Sequence, residues 1–223
     1  MFDRIAPRYD LLNHLLSAGI DRRWRRACVD FLELGGPVLL LDLCTGTADL
    51  LIEALERDGG HRGVGLDLSG EMLRRAAGKL GRRGLLRRAA LAGADAQSLP
   101  LGSGRFDAAL VAFGIRNVGD PARALAELRR VLRPGGRLVV LEFGSPRGAI
   151  GAVYRLYFHR ILPRVGRLVS GDRGAYGYLP QSVARFPGPE GFSALLDRAG
   201  FRAVTMRRLS LGIAWLYRGE VPA

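Results

Sequence analysis

The feature that most constrains the fold is a short apolar run that ends in an acid and a turn of small residues. Residues 38–41 are Val-Leu-Leu-Leu, Asp42 follows, and residues 45–48 are Thr-Gly-Thr-Ala. A short run of branched apolar residues is typical of a central parallel strand that is buried on both faces. Residues 49–57 have helical character, and small residues in the turn before them let a ligand approach the backbone. We therefore predict a strand–turn–helix unit with a ligand site at the carboxyl edge of a sheet.

The alternation of strands and helices continues along the chain. Strands are predicted at 63–67, 88–92, 106–112 and 137–143, and helices at 69–80 and 121–132, with Ser69 and Asp120 as N-caps. A helix at 189–199 leads into a hairpin of strands at 203–209 and 212–217, which makes the last strand antiparallel. We therefore predict an α/β fold with a doubly wound, mostly parallel seven-stranded sheet.

The charge of the chain indicates affinity for an anionic surface, either nucleic acid or membrane. The formal net charge is +13, and Lys79 is the only lysine among 34 basic residues. The segment 147–185 carries seven arginines and one acid, Asp172. No run of about eighteen apolar residues is present, so we expect a soluble or peripheral protein.

The cysteines and histidines indicate the compartment and argue against a metal site. Cys28 and Cys44 lie far apart without metal or redox spacing, which favours a reducing, cytoplasmic compartment. His14, His61 and His159 are scattered and form no metal-ligand cluster. We therefore predict no metal.

The turn at residues 45–48 predicts the class of ligand. A dinucleotide fingerprint has the pattern Gly-x-Gly-x-x-Gly, in which alanine can replace the third glycine. This chain has Gly46, Ala48 and Leu51 at the three positions, so the second residue is altered and the third does not match. Asp67 follows Gly46 by 21 residues, the approximate spacing at which an acid on the next strand reaches ribose hydroxyls. Asp95, beside Ala96, would lie near an adenine amino group. These acids fit S-adenosylmethionine, although each could also be only a strand-end cap.

Several stretches resemble one family of methyltransferases. These stretches are Met-Phe-Asp-Arg-Ile-Ala-Pro-Arg-Tyr-Asp at 1–10, Gly-Thr-Ala-Asp at 46–49, Gly-Leu-Asp at 65–67, Phe-Gly-Ile-Arg-Asn-Val at 113–118, Arg-Pro-Gly-Gly at 133–136 and Leu-Glu-Phe at 141–143. Between residues 2 and 219 the chain resembles the class I S-adenosylmethionine-dependent C-methyltransferases of menaquinone and ubiquinone biosynthesis. The piece at 133–136 is generic to methyltransferases, whereas the opening decapeptide and residues 113–117 are specific to the quinone group.

The resemblance implies one methyltransferase domain, 1–223, with a Rossmann-like sheet. Residues 1–35 would form a helical lid, 38–143 the cofactor-binding core, 147–188 a substrate or lid insertion, and 189–219 the C-terminal helix and hairpin. The cofactor-binding residues would be Tyr9, Asp42, Gly46, Thr47, Asp67, Leu68, Asp95 and Ala96. The substrate-binding residues would be Phe113, Tyr154 and Tyr176.

The implied reaction moves a methyl group from S-adenosylmethionine to a ring carbon of a polyprenylated quinol, foremost demethylmenaquinol. Loss of a phenolic proton makes the ortho carbon nucleophilic. Arg116 would stabilise the oxyanion or polarise a water that takes the proton, because arginine itself stays protonated, and Asn117 would orient the hydroxyl. Three alternatives stay open: a methoxy-benzoquinol substrate of ubiquinone biosynthesis, an RNA methyltransferase, and a non-catalytic scaffold.

A prenyl substrate also implies contact with the bilayer. Apolar and aromatic residues between 150 and 162 share one helical face, with Arg155 and Arg160 opposite. This helix could rest on anionic lipid or pack on the sheet. We therefore expect a cytoplasmic enzyme on the inner face of the cell membrane, no nucleic-acid partner, and a possible homodimer.

Overall fold

The computed structural model describes residues 17, 19–146, 148, 151 and 181–223. About half of the predicted lid, with Tyr9, lies outside the described residues. So do most of the predicted helix at 150–162 and the two predicted substrate residues Tyr154 and Tyr176.

Two short 3-10 helices, Ile115–Asn117 and Ser210–Gly212, and a helical stretch at 181–185 accompany five complete α-helices and seven strands in the described part of the chain. In chain order the complete α-helices and the strands are α1 (Ile20–Asp30), β1 (Leu39–Leu43), α2 (Asp49–Arg57), β2 (Arg62–Asp67), α3 (Gly70–Arg82), β3 (Ala89–Gly93), β4 (Phe106–Ala112), α4 (Pro121–Val131), β5 (Leu132–Phe143), α5 (Pro189–Arg198), β6 (Arg202–Leu209) and β7 (Ala214–Glu220). The predicted N-caps form as expected, because Ser69 Oγ accepts from Met72 N and the Asp120 carboxylate accepts from Arg123 N.

The start of β5 differs from the prediction, which placed Leu132 in a helix and the strand start at residue 137. Leu132 pairs with Phe106, and Arg137 pairs with Ala108. Between these two pairs β5 advances five residues while β4 advances two. The intervening Arg-Pro-Gly-Gly stretch is therefore a bulge within a continuous strand.

The strands form one sheet in the order β3-β2-β1-β4-β5-β7-β6. β7 runs antiparallel to both β5 and β6, and the other pairs are parallel. The predicted fold class, a doubly wound sheet with an antiparallel last strand, is confirmed. The strand order reverses between β1 and β4, and a crevice opens there beyond the carboxyl ends of the strands.

Alternate residues of the central strands supply two apolar layers, one on each face of the sheet. In β1, Leu41 and Leu43 pack on the face covered by α4 and α5, whereas Leu40 packs on the face covered by α1 and α2. Trp24 and Cys28 of α1 are buried in the second layer. The described helix of the predicted lid thus packs on the sheet. Across the described residues, no helix is both long and apolar enough to span a bilayer.

Candidate active site

The turn after β1 has a left-handed backbone at three of its residues. The φ angles of Cys44, Gly46 and Ala48 are 58°, 55° and 66°. Only glycine adopts this region without steric cost, so Cys44 and Ala48 store backbone strain, which is common beside ligand sites. A Cβ atom at Gly46 would meet no atom within 4 Å. The turn therefore presents open backbone to the crevice.

Asp67, at the end of β2, is held by this turn. Its Oδ2 accepts from Gly46 N at 2.8 Å, and its Oδ1 accepts from Ser69 N at 2.9 Å. An ionised carboxylate has about four lone-pair sites, so both oxygens keep acceptor capacity. The carboxylate is thus oriented in advance for a ligand that carries two neighbouring hydroxyl groups.

Asp95 follows β3 and is oriented by Gln97. Asp95 Oδ1 accepts from Gln97 N at 2.9 Å and from Gln97 Nε2 at 3.2 Å, and the first of these bonds is the main cause that lowers the pKa of Asp95. Gln97 Oε1 in turn accepts from Asp120 N at 3.0 Å, which connects the loop after β3 to the start of α4. We did not predict Gln97, and its position two residues after Asp95 was the only signal in the sequence.

An open pocket of about 230 Å³ lies over the ends of β1 to β4. Seven of the predicted site residues line it: Gly46, Asp67, Leu68, Asp95, Ala96, Phe113 and Asn117. Leu68 is 81 % exposed and supplies an apolar surface beside the two acids. Residues that we did not predict also line it, among them Leu43, Cys44, Met72, Ala94, Gln97 and Val118.

Asp42 and Thr47, both predicted cofactor residues, lie beneath the turn and do not line the described pocket. Asp42 is buried, accepts from Thr45 Oγ1 at 2.5 Å, and has its pKa raised to about 7 by desolvation. The Thr47 hydroxyl accepts from Lys79 Nζ at 3.1 Å, and Lys79 also pairs with Asp49. The geometry gives both residues a role in supporting the turn, and their direct contact with the cofactor stays a prediction.

A row of charged side chains joins this turn to α1. Arg25 lies 3.4 Å from Asp49 and 2.5 Å from Asp21, and the side chains of Arg25 and Asp21 are nearly buried. The two arginine contacts and the Lys79–Asp49 pair connect α1, α2 and α3 behind the pocket. Because the four groups carry two positive and two negative charges, the row is neutral.

The structure separates the two predicted catalytic residues. Arg116 is nearly buried, and its Nη1 donates to Phe113 O at 2.5 Å and to Glu142 Oε1 at 2.7 Å, while its Nε donates to Ser182 Oγ at 3.3 Å. Asn117 donates from Nδ2 to Phe113 O at 3.2 Å, and its Oδ1 has no hydrogen-bond partner within the described residues. Asn117 is therefore on the pocket wall, and Arg116 is behind it.

Three aromatic rings extend this wall. Phe113 and Phe143 stack with their centroids 4.3 Å apart, and Trp24 approaches the two rings at 6.1 and 6.2 Å. The Arg116 guanidinium lies 5.3 Å from the Phe143 centroid. Of the three rings only Phe113 is among the residues that line the pocket. We did not predict that Trp24 and Phe143 pack beside it, since 119 residues separate them in the chain and only the fold brings them together.

The turns after β1 and β4 touch at Gly114. A Cβ atom there would lie 2.3 Å from Cys44 Cβ and 3.0 Å from Cys44 Sγ. Phe113, just before it, has a φ of 55°, so strained backbone occurs on both sides of this contact. Only glycine fits this position.

The described ranges give no sign of a metal centre. Their His, Cys, Asp and Glu side chains form no group of three that could hold a metal ion.

Comparison with known proteins identifies relatives along the whole chain. The model of the ubiE/COQ5 methyltransferase family matches residues 1–220. Demethylmenaquinone methyltransferase of Thermus thermophilus is 52 % identical over 223 residues, which is all of both chains. The ubiquinone/menaquinone biosynthesis C-methyltransferase UbiE of Syntrophotalea carbinolica is 50 % identical, over 98 % of this chain and 92 % of that one. Demethylmenaquinone methyltransferase of Deinococcus radiodurans is 48 % identical, over 99 % and 90 %.

Solved structures share the fold at lower identity. The cyclase SpnF superposes with a TM-score of 0.76 at 21 % identity, over 100 % of this chain and 95 % of that one. A Thermotoga maritima protein described as an S-adenosylmethionine-dependent methyltransferase, possibly a histamine N-methyltransferase, gives 0.68 at 21 % identity, over 98 % and 97 %. These two likenesses concern the fold alone, because one fold hosts many activities. The family-model match and the identities near 50 % along the full chain show that this protein belongs to the ubiE/COQ5 methyltransferase family.

Proposed function

We propose that this enzyme, an S-adenosylmethionine-dependent C-methyltransferase, methylates a ring carbon of a polyprenylated quinol and converts demethylmenaquinol to menaquinol. One observation carries the proposal. The lining of a single pocket combines two oriented acids, Asp67 and Asp95, with an aromatic ring, Phe113, and with Asn117, whose Oδ1 is buried and unpaired within the described residues.

The acidic part of the lining fits the cofactor. The Asp67 carboxylate would accept from the ribose hydroxyls, Asp95 would accept from the adenine amino group, and exposed Leu68 would cover a face of the ring. The open backbone at Gly46 leaves room for the rest of the molecule. When bound, S-adenosylmethionine supplies an electrophilic methyl group.

The part of the lining formed by Phe113 and Asn117 fits a quinol ring. Phe113 would pack against a flat ring, and Asn117 Oδ1, left unpaired by the bond that Nδ2 makes, would accept a hydrogen bond from a quinol hydroxyl. Holding that hydroxyl fixes the ortho carbon relative to the methyl donor, which is the positioning that a weak carbon nucleophile needs. Phe143 and Trp24 keep water away from the same wall.

Arg116 would act on the substrate through its electric field and not by direct contact, because its guanidinium lies behind the pocket wall. The guanidinium is paired with the Glu142 carboxylate at 2.7 Å, so the pocket would feel the dipole of this pair, which a poorly solvated place screens less than water does. The phenolate that forms when the quinol gives its proton to a water would be stabilised by the positive end of that dipole. We therefore assign the electrostatic role to Arg116 and the hydrogen bond to Asn117.

The names of the relatives support the naphthoquinol substrate. Two of the three relatives above are demethylmenaquinone methyltransferases, and the third is named for both quinone pathways. Demethylmenaquinol is accordingly the proposed acceptor, and a methoxy-benzoquinol is its competitor in the test. A prenyl tail and a net charge of +13 also support peripheral contact with an anionic bilayer. Co-flotation with anionic liposomes at low salt is the expected result, and absence from the lipid fraction at every salt concentration would contradict it.

The experiment is methyl transfer from labelled cofactor to a reduced, short-chain demethylmenaquinol, run beside a methoxy-benzoquinol and a bulk RNA. Label in the naphthoquinol is expected. Label in the benzoquinol alone would reassign the substrate, and label in RNA alone would reassign the enzyme. Cofactor binding with no label in any acceptor would refute the proposal, and a folded protein that binds no cofactor would indicate a scaffold.

Two variants test the residue roles in the same assay. Arg116→Ala and Asn117→Ala should each lower kcat at least tenfold, while the cofactor Kd stays within threefold, because neither residue is among those proposed to hold the cofactor. Equal losses of turnover and cofactor affinity in both variants would show that their roles are misassigned.

A further inference from the structure

Glu142 is a fully buried acid in the middle of the sheet. It lies on β5, directly after the apolar run Val139–Leu141, and its relative exposure is 0 %. A buried ion pair is often no more stabilising than apolar residues of the same size. Stability alone therefore does not explain an acid at this position, and its contacts indicate another role.

Those contacts lead from Glu142 to the pocket wall in three steps. Glu142 Oε1 accepts from Arg116 Nη1 at 2.7 Å and from Phe143 N at 2.8 Å. The same Arg116 Nη1 donates to Phe113 O, and Asn117 Nδ2 donates to that carbonyl as well. Phe113 O thus receives two donors, one held by Glu142 and one belonging to the residue that faces the substrate.

The orientation of the Asn117 amide depends on this arrangement. Because Nδ2 is engaged by Phe113 O, Oδ1 is the amide atom left over, and it is buried without a hydrogen-bond partner within the described residues. A buried acceptor without a partner is costly, so a ligand hydroxyl that reached it would satisfy it. Phe113 has a left-handed backbone, so its carbonyl keeps this direction only while the surrounding contacts hold it. The Arg116 bond to Phe113 O is one of those contacts, and Glu142 fixes Arg116.

We propose that Glu142 is a positioning residue for methyl transfer: through Arg116 and the Phe113 carbonyl it keeps Asn117 Oδ1 directed at the quinol hydroxyl. This inference rests on the proposed function and extends it to a side chain that is outside the pocket lining. The interaction is charge-assisted, and such hydrogen bonds are roughly twice as strong as neutral ones. Burial raises the pKa of the Glu142 carboxyl, and the neighbouring Arg116 guanidinium acts against that rise.

The test is Glu142→Gln, which keeps the shape of the side chain and removes its charge. The expected result is a kcat about tenfold lower, with the quinol KM and the cofactor Kd within threefold of wild type. Glu220→Gln is the matched control. Glu220 also pairs with an arginine across the sheet, Arg137 at 2.9 Å, but lies six register positions from the pocket edge, about 20 Å away. The Glu220→Gln variant should leave kcat unchanged.

A double variant distinguishes positioning from general support of the fold. If Glu142 acts through Asn117, adding Glu142→Gln to Asn117→Ala should lower kcat by less than a further twofold. Multiplied losses in the double variant, or a Glu142→Gln enzyme with kcat within twofold of wild type, would overturn the inference. A loss of cofactor binding as large as the loss of kcat would also overturn it.

A second design applies if Glu142→Gln does not fold. Arg116→Met with Glu142→Leu removes both buried charges and should fold, since neither charge is left unpaired. This double variant should be no more active than Asn117→Ala, and wild-type activity in it would refute the inference.

The wild-type enzyme in the same assay separates the proposed function from the inference about Glu142. Wild type that labels no quinol overturns the proposed function and this inference together, whereas active wild type beside an unimpaired Glu142→Gln overturns only the inference.

Discussion

The contact between Gly114 and Cys44 makes a sharp prediction about stability. In Gly114→Ala the new Cβ would lie 2.3 Å from Cys44 Cβ, well inside the contact distance of two carbon atoms, so the two turns must move apart. Overpacking of this kind costs about 1–3 kcal/mol. Because both turns line the pocket, we expect a cofactor affinity at least threefold lower as well.

The same geometry identifies a rescue. Cys44→Gly removes the clashing atom, and the next neighbour of the new methyl group is Val111 Cγ1 at 3.6 Å, an ordinary contact. Glycine also adopts the φ of 58° found at position 44 without the cost of about 1–2 kcal/mol that a left-handed residue carries. That gain is already present in the Cys44→Gly single variant and cancels from the cycle, so the absent clash alone should let the double variant recover about 2 kcal/mol relative to the sum of the single changes.

Cys44→Ala is the matched control, since it removes the sulfur and keeps the Cβ that clashes. Urea denaturation at 25 °C gives the free energy of unfolding of wild type, the two single variants and the double variant, which together complete the double-mutant cycle. The control is measured in the same way. A Gly114→Ala protein as stable as wild type would refute the reasoning. Equal rescue by alanine and by glycine at position 44 would refute it as well.

Three further predictions follow from single side chains. Asp67→Ala removes the acceptor for two backbone N–H groups and, as proposed, for the ribose hydroxyls, and should weaken cofactor binding at least 100-fold in calorimetry. A loss below threefold would contradict the proposed role of Asp67. Asp42 has a pKa raised from 3.8 to about 7, so the folded state holds its proton more tightly and wild type loses stability as pH rises through this window. Asp42→Asn cannot titrate, and between pH 5 and 8 its unfolding free energy should gain about 3 kcal/mol relative to wild type, whereas parallel pH curves would disprove the shift. Lys79→Ala breaks the pair with Asp49 and the bond to Thr47, and should lower the unfolding free energy by about 1 kcal/mol, with an unchanged thermal midpoint as the contrary result.

The fold and the two acids of the pocket could be predicted from the sequence because their determinants are local. The apolar run before Asp42 and the caps Ser69 and Asp120 each depend on residues within a few positions. Asp67 and Asp95 follow their strands directly, and in a parallel sheet the carboxyl ends of the strands meet at one edge. The pattern was therefore enough to bring these acids together.

The bulge in β5 and the direction of individual side chains could not be predicted in the same way. Arg-Pro-Gly-Gly reads locally as a helix stop, and only the pairing of Leu132 with Phe106 shows that a strand has already begun. Asp42 lies inside β1 and Thr47 follows it, yet the fold directs both side chains into the protein, where Asp42 accepts from Thr45 and Thr47 accepts from Lys79. Sequence spacing does not encode that direction.

The sequence by itself determined the sheet, the edge at which Asp67 and Asp95 meet and the family, since each depends on short-range pattern or on contiguous motifs. Only the tertiary structure decided the different positions of Arg116 and Asn117 relative to the pocket. They are neighbours in the chain, yet the fully buried carboxylate of Glu142, 26 residues away, draws the arginine behind the wall and leaves the amide on it. A buried charge must be paired, and which partner meets it is settled by the packing of two strands.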